Sequence, residues 1–143
     1  MEDLDFEWLM HITFWGMVHA TQAFLPHLKI HDEAHIVNEP SVFGLCGIPT
    51  QVAYNSSKFA IRNFTESLSQ EMHGTGISVS IVFPGGIQTN IVKNSRFKPK
   101  DSVLKNKSDI ISLHEKLSLT SSDTAALRIL QAIRKKQKRI QAQ

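Results

Sequence analysis

Cysteine is almost absent: Cys46 is the single one among 143 residues, so no internal disulfide can form. Flanked by Leu45 and Gly47, that thiol has neither a CxxC partner nor a Cys/His spacing that suits structural zinc. Long apolar runs are also missing. No stretch reaches the roughly 18 consecutive apolar residues of a membrane span, and Glu2, Asp3, Asp5 and Glu7 stand where a secretory signal would be basic and then apolar. The expectation is a cytoplasmic protein with no membrane partner. Net charge is small, +3 from 16 Lys and Arg against 13 Asp and Glu. The basic residues Arg128, Arg134, Lys135, Lys136, Lys138 and Arg139 cluster near the end, where cations suit the C-terminal dipole of a solvated helix. No aromatic scaffold accompanies them, so no nucleic-acid partner is expected. The seven histidines are not expected to form a metal site: His27 and His35 flank a link between elements, and His73 follows a helix.

What is present is enough apolar material, 41% of the residues, for one domain over 1–143 with its own core. From Asp5 to His27, Phe6, Leu9, Met10, Ile12, Trp15, Met17, Val18, Phe24 and Leu25 recur densely, predicting a long helix packed on several sides and ending near Pro26. His35 to Asn38 reads as a short strand, because Ile36 and Val37 are β-branched and Pro40 disfavours helix at Glu39. Between Gln51 and Met72 helical spacing returns through Val52, Ala53, Phe59, Ala60, Phe64 and Leu68, and Gly74 and Gly76 stop it. Ile77 to Phe83 is a β-branched apolar run of the kind found in buried parallel strands, which completes a βαβ unit. Ile91 to Leu119 is polar and weakly periodic, predicting a lid or a mobile loop that includes Phe97, Val103 and Leu104. Thr120 with Asp123 resembles a capping box for a last helix through Ala126, Leu127, Leu130 and Ile133. Ile140 to Gln143 is short and polar for a strand. The fold class expected is α/β, a partial Rossmann-like, doubly wound parallel sheet in the order helix-strand-helix-strand-loop-helix.

Tyr54 and Lys58 lie four apart on the second helix, so both side chains share one face. A phenol, with a reference pKa of ~10, is a poor acid or base at neutral pH, and a nearby ammonium favours its phenolate. Ser41 falls on the loop after the first strand, at the carboxyl end where ligands of open α/β sheets gather. On its own, a Tyr/Lys pair at this spacing is commonly just surface packing.

The series Asn38-Glu39-Pro40-Ser41-Val42-Phe43-Gly44, then Tyr54-Asn55-Ser56-Ser57-Lys58-Phe59-Ala60, then Phe83-Pro84-Gly85-Gly86-Ile87-Gln88-Thr89-Asn90 resembles the short-chain dehydrogenase/reductase family, in which a Ser stands thirteen residues before Tyr-x-x-x-Lys and a Pro-Gly turn follows later. Phe14-Trp15-Gly16 and Phe24-Leu25-Pro26 extend the likeness. The resemblance implies hydride transfer between NAD or NADP and a ketone or secondary alcohol, the choice of cofactor staying open. It implies that Tyr54 donates or accepts the proton, that Lys58 lowers its pKa and holds the nicotinamide ribose, and that Ser41 binds the substrate oxygen. It places Pro84, Gly85, Ile87 and Thr89 along the nicotinamide and pyrophosphate, where a glycine pair lets backbone approach closely and Thr89 can donate to phosphate.

Three features depart from the family pattern. None of the seven glycines builds the glycine-rich first strand-to-helix turn that holds a dinucleotide pyrophosphate, so the expectation is a C-terminal catalytic half without the N-terminal dinucleotide-binding half. The strand around Ile36 would then lack its inner neighbour and expose unpaired backbone groups. Thr13 stands where the family usually has an asparagine that supports a proton-relay water, and is expected to take that catalytic position; Glu39-Pro40 replaces small or hydroxyl residues before Ser41. The alternative reading is a non-catalytic dimerisation module, or an inactive fragment of such an enzyme. On either reading the broad apolar helices around 5–27 and 51–72 suit a homo-oligomer.

Overall fold

The computed structural model describes residues 3–96 and 106–142. Three parallel strands form its centre: β1 (Ala34–Asn38), β2 (Ile77–Pro84) and β5 (Arg139–Ala142), in the order β1-β2-β5. Val37 lies beside Ser80 in the first pair, and Val82 beside Ile140 in the second. A central parallel strand has no face to spare for water, and Ile81, Val82 and Phe83 are accordingly buried in succession.

Helices cover both faces of this sheet. On one, Leu25 and Leu28 of α2 (Gly16–Leu28) and Phe64, Leu68 and Met72 at α3 (Val52–Glu71) and its cap pack on Ile36, Ile77 and Val79. On the other, Ala125, Ile129 and Ala132 of α6 (Ser122–Arg134) pack on Val37, Val82, Ile140 and Ala142. Helix, sheet, helix is the doubly wound α/β arrangement expected from the sequence. A second, two-stranded parallel ribbon pairs β3 (Ile87–Gln88) with β4 (Thr120–Ser121).

Several expectations need correction. The first helix ends at Leu28, two residues past Pro26, but it is not one uniform helix. It runs as α1 (Asp3–Met10), a π turn over His11–Trp15, and α2 through Pro26 to Leu28. Proline this close to a helix end removes one backbone bond and no more of the ladder. Nor is the helix packed on several sides within this chain: Val18 and Thr21 are buried, while Ile12, Trp15 and Phe24 remain 53%, 42% and 63% exposed. The stretch after Ile91 is not a plain loop, because it contains α4 (Ile91–Asn94) and α5 (Lys107–Leu117). Polar ties hold them where apolar periodicity is weak: Lys93 pairs with Glu115 at 3.0 Å, and Lys107 Nζ donates to the carbonyls of Lys93 and Ser95 at 2.7 and 2.8 Å. Phe97, Val103 and Leu104 lie outside the described residues.

The cap of α6 is Ser121, not Thr120; its hydroxyl accepts from the Thr124 amide at 3.2 Å. The end of the chain, too polar to read as a strand, is β5, because alternation buries Ile140 and Ala142 and exposes Arg139 and Gln141. Its basic neighbours have partners: Lys136 pairs with Glu33, and Arg139 with Glu66, each at 2.5 Å. Gly74 takes φ +80° just past α3, where a side chain would be strained. Within the described residues β1 pairs on one side only, with β2.

Candidate active site

Ser41 follows β1, and Pro84 ends β2; in a parallel pair both lie at the carboxyl edge of the sheet. The two meet there, with the Ser41 hydroxyl 3.5 Å from the Pro84 carbonyl oxygen. Ser41 has φ 96° and ψ 164°, a backbone conformation that is essentially reserved for glycine. Its peptide opens a short 3-10 turn over Val42–Gly44, closed by the Gly44 amide donating to the Ser41 carbonyl at 2.9 Å. Gly44 is needed where the turn meets α3: a Cβ there would lie 2.9 Å from the Lys58 carbonyl oxygen and 3.1 Å from Pro40 Cβ.

Tyr54 and Lys58 rise from the first two turns of α3, one helical turn apart on a shared face. The structure brings Ser41, Tyr54, Lys58 and Pro84 together. The phenol is half-buried; burial pushes its pKa above the usual phenol value, and the polar influence of Ser41 pulls it partly back. Lys58 Nζ sits over the Tyr54 ring, 5.3 Å from its centroid, and donates to the Glu39 carbonyl at 3.4 Å. Burial holds the Lys58 ammonium below the usual lysine range, and the Glu39 charge opposes that shift. Burial is the largest influence on both groups.

The remaining candidates are placed differently. Gly85 and Ile87 form a tight turn after β2, with the Ile87 amide donating to the Gly85 carbonyl at 3.0 Å. The Thr89 hydroxyl accepts from the Ile91 amide at 3.4 Å. Thr89 also lines an open cleft of about 340 Å³ with Lys93, His114, Glu115 and Ser118. Thr13 lies in the π turn, and its hydroxyl donates back to the Leu9 carbonyl within its own helix. Ser41, Tyr54 and Lys58 have no part in that bond. His27 and His31 stand four apart, but α2 ends at Leu28, so one helix does not present both; among the described residues no group of three His, Cys, Asp or Glu could hold a metal ion.

Two contributors escape the motif. Phe43 meets the Tyr54 ring edge-on at 5.4 Å between centroids. Asn55, the residue after the tyrosine, is buried with its side chain committed to the loop. A buried polar residue beside a candidate acid is the signal that could have found it.

The doubly wound α/β sheet thus gathers a hydroxyl, a phenol and an ammonium at the carboxyl ends of its strands, where ligands of open α/β sheets bind. The family model of short chain dehydrogenases matches residues 1–100. SadH of Mycobacterium tuberculosis is 38% identical over 138 residues, 95% of this chain and 49% of SadH. The chain therefore belongs to the short-chain dehydrogenase/reductase family, and it spans about half the length of that curated relative. Among solved structures, a family member from Burkholderia phymatum in complex with NAD superposes with a TM-score of 0.83 at 22% identity, covering 99% of this chain and 54% of that one. A Burkholderia cenocepacia short chain dehydrogenase in complex with NADP gives 0.71 at 20% identity, covering 94% and 49%. At such identities the likeness is one of fold.

Proposed function

We propose that residues 1–143 form the C-terminal, catalytic part of an NAD(P)-dependent oxidoreductase acting on a ketone or secondary alcohol in the cytoplasm, with the adenosine end of the cofactor bound by residues outside this sequence. The observation that carries the reading is the gathering of three groups at the carboxyl edge of the sheet: the Ser41 hydroxyl 3.5 Å from the Pro84 carbonyl oxygen, and Lys58 over the Tyr54 ring on one face of α3. The residues present fit the nicotinamide end. Lys58 spends one long bond on a carbonyl, which leaves ammonium hydrogens for ribose hydroxyls.

When bound, the nicotinamide supplies or accepts the hydride at the carbonyl carbon. Ser41 donates to the substrate oxygen and orients it. Tyr54 hands its proton to that oxygen on reduction and takes it back on oxidation. Its burial keeps the phenol protonated until the developing alkoxide draws the proton away. Thr13 supports the proton path in this reading, from its place in the π turn. Pro84, Gly85, Ile87 and Thr89 supply backbone and hydroxyl contacts to the nicotinamide and the neighbouring phosphates. The exposed apolar residues Trp15, Phe24 and Phe59 supply a face for self-association into a homo-oligomer.

Turnover of a ketone panel with NADH and with NADPH, followed by loss of the reduced-nicotinamide absorbance, tests the assignment. Tyr54→Phe is expected to lower turnover by about 10²- to 10⁴-fold. A Tyr54→Phe protein that keeps the parental rate would overturn it.

A further inference from the structure

The loop from Ser41 to Gln51 leaves Leu45 and Ile48 42% and 41% exposed, so its apolar residues do little to hold it, yet it carries Phe43, whose ring meets Tyr54. One side chain fastens it. Asn55 is 7% exposed, and its Nδ2 donates to the Phe43 carbonyl at 3.0 Å and to the Cys46 carbonyl at 2.7 Å. Its Oδ1 accepts from the Ile48 amide at 3.3 Å. Three backbone groups of a six-residue stretch, 43–48, are thus satisfied by a single amide, which offers donors and an acceptor together. Two further ties lie along α3: Gly44 packs on the Lys58 carbonyl, and Arg62 Nη1 donates to the Gly44 carbonyl at 3.3 Å.

Phe43 closes the circuit. Its carbonyl is held by Asn55, and its ring stands edge-on to Tyr54, the neighbour of Asn55 in sequence. We propose that Asn55 is a positioning residue, which holds segment 43–48 against α3 and so seats Phe43 and Ser41 on the Tyr54 phenol. The inference rests on the catalytic reading of Tyr54 for its meaning, but not for its test. Two close replacements fit poorly. Aspartate would set a negative charge against two carbonyl oxygens, and serine is too short to reach three backbone groups at once.

Tyr54 is the single tyrosine of the sequence, so the ultraviolet band of tyrosinate reports its ionisation alone and needs no cofactor or substrate. In the parent protein the titration midpoint is expected above the ordinary phenol value, because burial raises it. Asn55→Ala frees the loop, admits water to the ring and is expected to bring the midpoint down toward that ordinary value, while circular dichroism still shows the parental helix content. A folded Asn55→Ala protein whose Tyr54 midpoint does not fall overturns the proposal. Should that variant fail to fold, hydrogen exchange in the parent protein decides. Ile48 is 41% exposed, yet its amide should exchange slowly because Asn55 holds it; exchange at the rate of an open loop would overturn the proposal equally. Failure of the oxidoreductase reading would show as absent turnover with the Tyr54 titration still shifted by Asn55→Ala, so the two failures are distinguishable.

Discussion

Replacing Ser41 with glycine should stabilise the protein while removing the hydroxyl proposed to orient the substrate. Ser41 sits at φ 96° and ψ 164°, a region where a non-glycine residue is strained by about 1–3 kcal/mol. Glycine removes that strain and adds about 0.5–1 kcal/mol of unfolded-state entropy to be lost on folding. The hydroxyl contributes little in return, because its contacts with the Pro84 carbonyl and the Phe43 amide are both 3.5 Å long. The balance favours Ser41→Gly by about 1 kcal/mol, or roughly 2–4 °C in Tm for a chain of this size. Ser41→Ala keeps the Cβ and the strain and loses the same hydroxyl, so it should melt at or below the parental temperature. Calorimetric melts of the three proteins at one pH make the comparison. A Ser41→Gly protein no more stable than Ser41→Ala would show that the backbone at Ser41 is not strained, and the reasoning would fail.

Gly86→Ala should destabilise by about 1–3 kcal/mol in urea unfolding, because a Cβ there would lie 2.3 Å from the Leu117 carbonyl oxygen. Gly47→Ala, with nothing within 4 Å of the new Cβ, should change stability by no more than about 0.5 kcal/mol; equal effects at the two sites would contradict the packing. The Glu66 carboxyl is pushed up by burial, but hydrogen bonds and charges from Arg62 and Arg139 outweigh this and hold it below its ordinary value. A depressed folded-state pKa adds stability above the unfolded value and loses it as pH falls through the folded one. Glu66→Gln should therefore flatten the acid limb of stability against pH, by an amount within the small range of exposed ion pairs, about 0.2–1 kcal/mol. An unchanged acid limb would refute the pairing.

The parts of the fold that could be read from sequence are those set by local pattern. The second helix and the strand from Ile77 are strongly periodic, and the structure has them at Val52–Glu71 and Ile77–Pro84. Strand β5 was illegible because its evidence is not local: two alternating residues become a strand only when β2 lies alongside. Helix α5 was illegible because one ion pair and lysine-to-carbonyl bonds hold it, while Leu113 and Leu117 stay exposed. At the site, the spacing of Ser41, Tyr54 and Lys58 was visible and their convergence was not. The strained backbone of Ser41, the edge-on Phe43 and the three bonds of Asn55 belong to a loop whose shape depends on packing against α3. The same holds for the electrostatics: a Tyr/Lys pair suggests a lowered phenol pKa, but burial raises it.

The central claim is that these residues bind the nicotinamide end of a dinucleotide. Its most direct test is a thermal melt of the purified chain with saturating NADH, with saturating NADPH and with AMP alone. A cofactor at about a hundred times its Kd stabilises the folded state by ~2.7 kcal/mol. The account predicts a cooperative transition raised by NADH or NADPH and unmoved by AMP. A cooperative transition that neither dinucleotide moves would contradict it.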